Sequence, residues 1–364
     1  MSLLLDREKN NINMRKGIFL LEDGKLWEGE IIGEGIETGE VIFYTGVIGY
    51  QEVITDPSYY KKIVVMTYPH IGNYGINKEG FFTENVWVKG LIVKEISKIS
   101  SNWKSIKSIK DFINENKILV MEKVDTQEVV SYLREKGIKR GILAVKKANI
   151  EKLLEEIKNN FINENLTEKV SCKKPHTICS GKNIQNNKIL VIDLGVIKPH
   201  IDYLISAGFD LIVAPYNITS DEIFSYKPRG VFISSGPDNP LKLQNTISEL
   251  SKIIGKIPVL GIGLGMLILS LSLGYKIFKM KNGHFGINYP VKDVTNNTCK
   301  TTVQAHIYSL IPENMDEKLK IWFTNLNDGS IEGIISEKLK ILGVQYYPQE
   351  NDIVWRKFKE FVNA

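Results

Sequence analysis

The chain has 364 residues, 43% apolar and 24% charged, with a formal net charge of +5. That length allows two or three domains with buried cores, and the composition is that of a soluble globular protein with no dense basic stripe, which argues against nucleic-acid binding. Cys172, Cys179 and Cys299 are an odd number without a tight repeat. They exclude a disulfide framework and point to a reducing, cytoplasmic setting, and Cys172 and Cys179 lack the second ligand pair of a zinc site.

The Leu3-Leu4-Leu5 run is too short and wrongly flanked for a signal peptide, and Met14 is a candidate start directly before the first expected strand. Gly17 to Leu21 and Leu26 to Ile32 are expected as a hairpin around Glu22-Asp23-Gly24-Lys25. Strands are expected at Glu40 to Tyr44, Ile63 to Tyr68 and Val86 to Val93, with an Asp56-Pro57 turn between the first two. Helices are expected at Ser108 to Asn116 and Thr126 to Lys136. Residues 169–187 lose apolar periodicity and are expected to be a linker between domains at 14–168 and 188–364.

From Lys188 onward strands and helices alternate. Strands are expected at Lys188 to Asp193, Asp210 to Ala214, Gly230 to Ser234 and Pro258 to Ile262. Helices fall at Pro199 to Ala207, near Asp221 to Tyr226 and at Asn245 to Ile254. This predicts a mostly parallel sheet flanked by helices, behind a β-rich α+β domain. Ligands of such sheets sit at the strand carboxyl ends, here Leu194-Gly195-Val196, Ser235 to Pro240 and Gly263-Leu264-Gly265.

Pro258 to Gly265 has the layout of a nucleophile elbow, in which a reactive side chain sits on a strained strand-to-helix turn between glycines. The central position is Gly263, which has no side chain to attack with. No charge occurs from Ile257 to Tyr275, about the ~20 residues that span a bilayer, but Pro258 and the three glycines break that run. A buried strand followed by a buried helix is expected, and no membrane partner.

These loops resemble the small subunit of carbamoyl phosphate synthetase, in the class I (triad-type) glutamine amidotransferase family. In the first half the resemblance rests on Thr38 to Phe43, Gly49-Tyr50-Gln51-Glu52, Thr55 to Tyr59 and Thr67 to Gly75. In the second half it rests on Pro215 to Thr219, Ser234-Ser235-Gly236-Pro237, Lys279 to His284, Asp328-Gly329 and Val344-Gln345-Tyr346. It covers nearly the whole chain from Met14. The resemblance implies a cysteine in G-x-C-x-G that attacks the glutamine amide. A histidine from H-P-E acts as base and then acid, the glutamate orients it, and backbone N–H groups hold the oxyanion. It also implies an ATP- and metal-using large subunit as partner, with no cofactor or metal in this chain.

Carried over residue by residue, the triad positions hold Gly263, Tyr347 and Gln349. A tyrosine with pKa ~10 is a poor base at neutral pH, and an amide cannot stabilise an imidazolium by charge. In the glutamine site the C-L-G-H-Q run becomes Gly263 to Leu267, so Leu267 replaces the glutamine. Asp238 enters the loop beginning Gly236-Pro237. Q-N-H-G becomes Gln304-Ala305-His306-Ile307. Tyr308 and the Leu264 backbone remain compatible, and Gly46 is neutral, because the family has Ser or Gly there.

His306 and His284 are expected to be structural. Cys299 is expected to be a small half-buried strand residue, Asp193 with Gly195 an ordinary strand-to-helix turn, and Tyr50 and Trp27 core residues. The expectation is a small-subunit-like protein without glutaminase activity that supports ammonia-dependent synthesis by a large subunit, in pyrimidine or arginine formation. The alternatives are a repurposed binding or regulatory protein and an active glutamine-hydrolysing subunit.

Overall fold

The computed structural model describes residues 15–146, 149–160, 164–181, 187–237, 239–312 and 318–364. The candidate start Met14 and the candidate site residue Asp238 lie outside them. The chain divides into two compact units. One comprises Met1–Ile54, Lys61–Phe81 and Val86–Glu164; the other comprises Thr55–Tyr60, Phe82–Asn85 and Asn165–Ala364.

The first unit is built on strands β1 (Arg15–Leu21), β2 (Leu26–Ile32), β3 (Ile36–Tyr44), β4 (Lys62–Met66), β5 (His70–Ile71), β6 (Gly90–Ile92), β7 (Glu95–Ile96), β8 (Leu119–Glu122) and β9 (Lys139–Val145). Seven of them close into a barrel in the order β1-β2-β8-β6-β4-β3-β9. Helices α1 (Tyr50–Thr55), α2 (Ile109–Glu115), α3 (Thr126–Lys136) and α4 (Ile150–Asn159) accompany it. The period-2 alternation of β1 sorts its side chains between two cores. Phe19 and Leu21 pack in one cluster with Val129, Val130 and Leu133 of α3. Ile18 and Leu20 pack with Leu153 and Ile157 of α4. Trp27 and Tyr50 are buried, as expected of core aromatics. The strand expected from Val86 shortens to β6. The N–H groups of Trp87 and Lys89 bond instead to the carbonyls of Ile54 and Lys62, outside the β6 ladders.

The second unit holds α5 (Leu166–Val170), β10 (His176–Ile178), β11 (Lys188–Asp193), α6 (Lys198–Ser206), β12 (Asp210–Pro215), α7 (Ser220–Ser225), β13 (Gly230–Ile233), α8 (Gln244–Ile253), β14 (Val259–Ile262) and α9 (Leu264–Ser272). Then follow β15 (Ile277–Asp293), β16 (Thr298–Leu310), β17 (Lys320–Asn325), β18 (Ile331–Ser336), β19 (Ile341–Val344), β20 (Tyr346–Tyr347) and α10 (Ile353–Asn363). One sheet runs β10-β12-β11-β13-β14-β19-β18-β17-β15-β16-β20. Its parallel part is β12-β11-β13-β14-β19, extended by antiparallel strands on both sides.

The chain passes from β11 to β12 on one side and then crosses back through α7 to β13 on the other side of β11, so the strand order reverses there, which places a crevice at the carboxyl ends of these strands. The apolar run from Ile257 to Tyr275 is β14 followed by α9, whose residues Leu264 to Ser270 are all buried. Among the described residues no helix is long and apolar enough to cross a membrane. The segment expected as a linker carries the end of α5 and all of β10, which pairs with Leu211 to Val213 of β12. The three-residue sequence His176-Thr177-Ile178 is too short to show strand periodicity, and its ladder to β12 makes it a strand.

Candidate active site

The loops after β11, β13 and β14 converge because glycine lets their backbones touch. A Cβ at Gly236 would collide with the Leu194 carbonyl oxygen, and one at Gly195 would lie 2.9 Å from Pro57 Cβ. In the elbow, a Cβ at Gly261 would lie 2.6 Å from the Gly265 carbonyl carbon, and one at Gly265 would collide with the Ile233 carbonyl oxygen. The flanking glycines of the motif are therefore required by the close approach of α9 to β13 and β14.

Gly263 itself has φ +55° and ψ −116°, the conformation in which an elbow holds its nucleophile and which L-residues adopt only under strain. Its N–H bonds to the Val344 carbonyl at 2.7 Å and its carbonyl accepts from Leu267 N–H at 3.3 Å, so the turn is intact. Ser235 crowds the point from which a side chain would start. A Cβ at Gly263 would lie 2.6 Å from Ser235 Oγ and 3.2 Å from Ser235 Cβ.

Ser235 belongs to a buried chain of hydroxyls. Tyr347 donates to Asp56 Oδ2 at 2.9 Å, its oxygen meets Ser58 Oγ at 2.8 Å, and Ser58 Oγ meets Ser235 Oγ at 3.1 Å. Asp56 also caps the short 3-10 turn Pro57–Tyr59 by accepting from Ser58 N–H at 2.8 Å. All four residues are nearly inaccessible to solvent. Burial, and then the Asp56 carboxylate, hold the Tyr347 phenol well above its usual pKa. Tyr347 is thus a protonated donor pinned to a carboxylate and cannot take a proton from an attacking group. Among the described residues Ser235 hydrogen-bonds to hydroxyls and to no histidine, so it lacks the adjacent base that activates a serine nucleophile.

The position that matches the family's orienting glutamate is turned to solvent. Gln349 is exposed and lines an open groove with Asp352 and Arg356. Asp56 takes the role of holding the Tyr347 side chain. Sequence inspection placed Asp56 in a turn motif and did not foresee its role; a carboxylate two residues before Ser58 in that motif is the only signal for it.

The substrate positions divide. Leu264 opens α9 and Leu267 lies one turn on, both buried. Ala305 and Ile307 are buried on β16, whose Val303 pairs with Tyr347, and Tyr308 is half-buried on the same strand. Gly46 belongs to the first unit. A Cβ there would run into the Tyr44 ring, whose hydroxyl donates to the Ile48 carbonyl at 3.0 Å.

His200, buried against Tyr347, Phe232 and Trp355, was missed. Neither of its nitrogens has a hydrogen-bond partner, and burial lowers its pKa to about 3, so it is neutral. Asp193 accepts from the N–H groups of Gly195 and Val196 at 2.9 and 2.8 Å, which uses the donors a phosphate would need. No cysteine replaces the nucleophile. Burial, then the Asp193 carboxylate, pushes the Cys172 thiol up to about 12. Cys179 is exposed, and Cys299 lies exposed near the start of β16 rather than half-buried, because the outer end of that strand is solvated.

Residues 19–143 match the family model "Carbamoyl-phosphate synthase small chain, CPSase domain", and residues 190–352 match "Glutamine amidotransferase class-I". A carbamoyl phosphate synthase small chain of Caldanaerobacter subterraneus is 42% identical over 92% of this chain and 91% of its own length. The chain belongs to the carbamoyl phosphate synthase small chain family. A small chain from Clostridium perfringens is 37% identical over 92% of this chain and 94% of its own, and the chloroplastic one of Oryza sativa is 33% identical over 94% and 81%. The chain thus spans nearly the full length of a small chain. Within that family frame, the elbow is built as a nucleophile elbow and holds no nucleophile.

Proposed function

We propose that this small-chain homologue has lost glutaminase activity and serves as a non-catalytic subunit. In this reading it binds a carbamoyl-phosphate-synthase-type large subunit and supports carbamoyl phosphate synthesis from ammonia, in pyrimidine or arginine formation. ATP and the metal of that reaction belong to the large subunit. The observation that carries the reading is Ser235 Oγ, seated where the side chain of residue 263 would begin and bonded into the Ser58–Tyr347–Asp56 chain. A missing nucleophile alone could be a single change. Here Ser235 crowds the elbow and the tyrosine at the base position is bonded to a buried carboxylate, which supports reading the substitutions as one hydrogen-bonded arrangement. Both family regions are retained, as selection for folding and subunit contact would require.

The experiment is reconstitution of the full chain with its synthetase large subunit, supplied in turn with glutamine and with ammonium. Carbamoyl phosphate is expected from ammonium alone, with no ammonia released from glutamine by the chain or the complex. Steady glutamine turnover above background would overturn the loss of activity. Failure to co-purify with a large subunit from its own cells would overturn the subunit role and favour a repurposed binding protein.

A further inference from the structure

Between β7 and α2 of the first unit, the chain turns three large apolar side chains outward. Ile99 is 78% exposed, Trp103 88% and Ile106 57%. Trp103 is the most exposed large apolar residue among the described ones. An indole left in water forgoes the burial that makes aromatic residues stabilising, and apolar side chains clustered at a surface mark a face that another molecule covers.

The segment is tied down from behind. Ser97 N–H donates to the Ile71 carbonyl at 2.7 Å, Ser101 N–H to the Asn73 carbonyl at 2.9 Å, and Ile106 N–H to the Ile76 carbonyl at 2.9 Å. Ile76 N–H donates back to the Lys107 carbonyl at 2.8 Å. Trp103 stands at the apex of a turn closed by Ser105 N–H on the Asn102 carbonyl at 3.0 Å, with Lys104 N–H on Asn102 Oδ1 at 2.8 Å. Lys104 Nζ, paired with Glu79, lies 5.5 Å from the Trp103 ring centroid. Backbone bonds thus shape the loop without help from the three apolar side chains, which remain available to a partner. A loop ordered beforehand loses little entropy on binding, which suits a tryptophan that anchors an interface.

A basic cavity adjoins this tip. Lys94, Lys98, Lys110 and Lys123 line an open cavity of about 550 Å3 with Glu95, Glu122 and Asp125, and Lys98 directly precedes Ile99. The carboxylates are committed to the fold. Glu122 is buried and accepts from Ile96 N–H at 2.7 Å, Asp125 caps α3 through the N–H groups of Gln127 and Glu128, and Glu95 faces His70 Nδ1 at 3.5 Å. Of the ammonium groups, Lys123 pairs with Glu30 at 2.6 Å. Lys94, Lys98 and Lys110 pair with no carboxylate among the described residues. The cavity therefore presents uncompensated positive charge beside an apolar tip.

We propose that the face formed by residues 97–110 and this cavity docks the chain on the synthetase large subunit, with Trp103 entering an apolar pocket and the lysines facing acidic side chains of that subunit. The inference rests on the subunit role proposed above and names the surface that serves it. Charge decides the occupant. A second copy of this chain would bring like lysine clusters together across a two-fold axis, which is repulsive. A lipid surface would meet only three apolar side chains, separated by Ser100, Ser101, Asn102 and Ser105, with no amphipathic helix among them. A protein surface that sets a pocket beside carboxylates matches both the tip and the cavity.

The full chain would be titrated into its large subunit by calorimetry at low and at high salt. Trp103→Ala is expected to weaken binding about tenfold or more, and Trp103→Phe by much less. Lys98→Glu with Lys110→Glu is expected to weaken binding about tenfold at low salt and to flatten its salt dependence. Thermal unfolding of the Trp103 variants is expected to match the parent's, because the replaced ring is exposed. Iodide quenching of the parent's tryptophan fluorescence is expected to fall in the complex as Trp103 is covered. Binding by Trp103→Ala within about twofold of the parent overturns this surface and leaves the subunit role standing. A parent that does not bind the large subunit overturns the subunit role and this surface with it. Self-association, or capture by anionic lipid vesicles, that Trp103→Ala abolishes while large-subunit binding is unchanged overturns the large subunit as the occupant.

Discussion

At Gly263 two costs meet that a side chain would have to overcome. The φ of +55° strains any L-residue by about 1–3 kcal/mol, and Ser235 Oγ stands 2.6 Å from where Cβ would be. Restoring the family residue with Gly263→Cys is therefore expected to lower stability by about 1–3 kcal/mol in urea unfolding. It is also expected to leave glutamine hydrolysis at background, because Tyr347 remains protonated and bound to Asp56. Measurable hydrolysis by the single variant would show that the site needs no base at position 347. The complementary variant, Tyr347→Phe, deletes the hydroxyl and takes one donor from the buried Asp56 carboxylate. A loss of about 1–3 kcal/mol is expected, more than a surface substitution gives. A neutral result would mean that Asp56 is satisfied without Tyr347 and that the hydroxyl chain does not stabilise the site.

The elbow is where sequence inspection and structure agree most closely, and the physical reason is local. Gly261, Gly263 and Gly265 are each demanded by a backbone geometry that a short motif encodes, and the buried β14 and α9 follow from an uncharged apolar run. Gly265 tests this directly. Glycine-to-alanine inside a helix ordinarily favours the protein by about 1 kcal/mol. Here the new methyl would strike the Ile233 carbonyl, a backbone atom fixed in β13 that cannot move aside. Gly265→Ala is expected to destabilise by about 1–3 kcal/mol in thermal or urea unfolding, reversing the propensity. A stabilised variant would show that α9 is free to shift.

What the sequence hid was non-local. Asp56 and Tyr347 are 291 positions apart, and nothing at either end marks the partner. Gln349 matches the family's orienting glutamate by motif order, and nothing local in the sequence marks that the chain turns it to solvent. His200 sits in an ordinary amphipathic helix pattern, and only the packing of Phe232, Trp355 and Tyr347 around it shows its isolation. The short strand β10 was unreadable because the ladder to β12, rather than side-chain alternation, makes it a strand.

For the whole molecule, His200 turns local packing into a pH dependence of stability. Its folded pKa of about 3 lies below the value of about 6.5 for an unfolded histidine. Between these values the unfolded chain binds a proton that the native chain refuses, so stability rises with pH across that window and is fully present above it. The slope from this one group is about 1.4 kcal/mol per pH unit at most, and it acts as pH falls below about 6.5. Carboxylates titrate at the lower end of the same window, so the wild-type curve alone does not isolate the histidine. The difference between the wild type and His200→Phe does. Phenylalanine fills a similar volume against the three aromatic rings and leaves no nitrogen unpaired. It is expected to be neutral to stabilising at pH 7 and to gain steadily on the wild type as pH falls from 6.5 towards 4.5. Urea unfolding across that range measures the difference. Parallel curves for the two proteins would mean that His200 takes up a proton in the native state, and that the packing around Tyr347 opens to water far more readily than its burial implies.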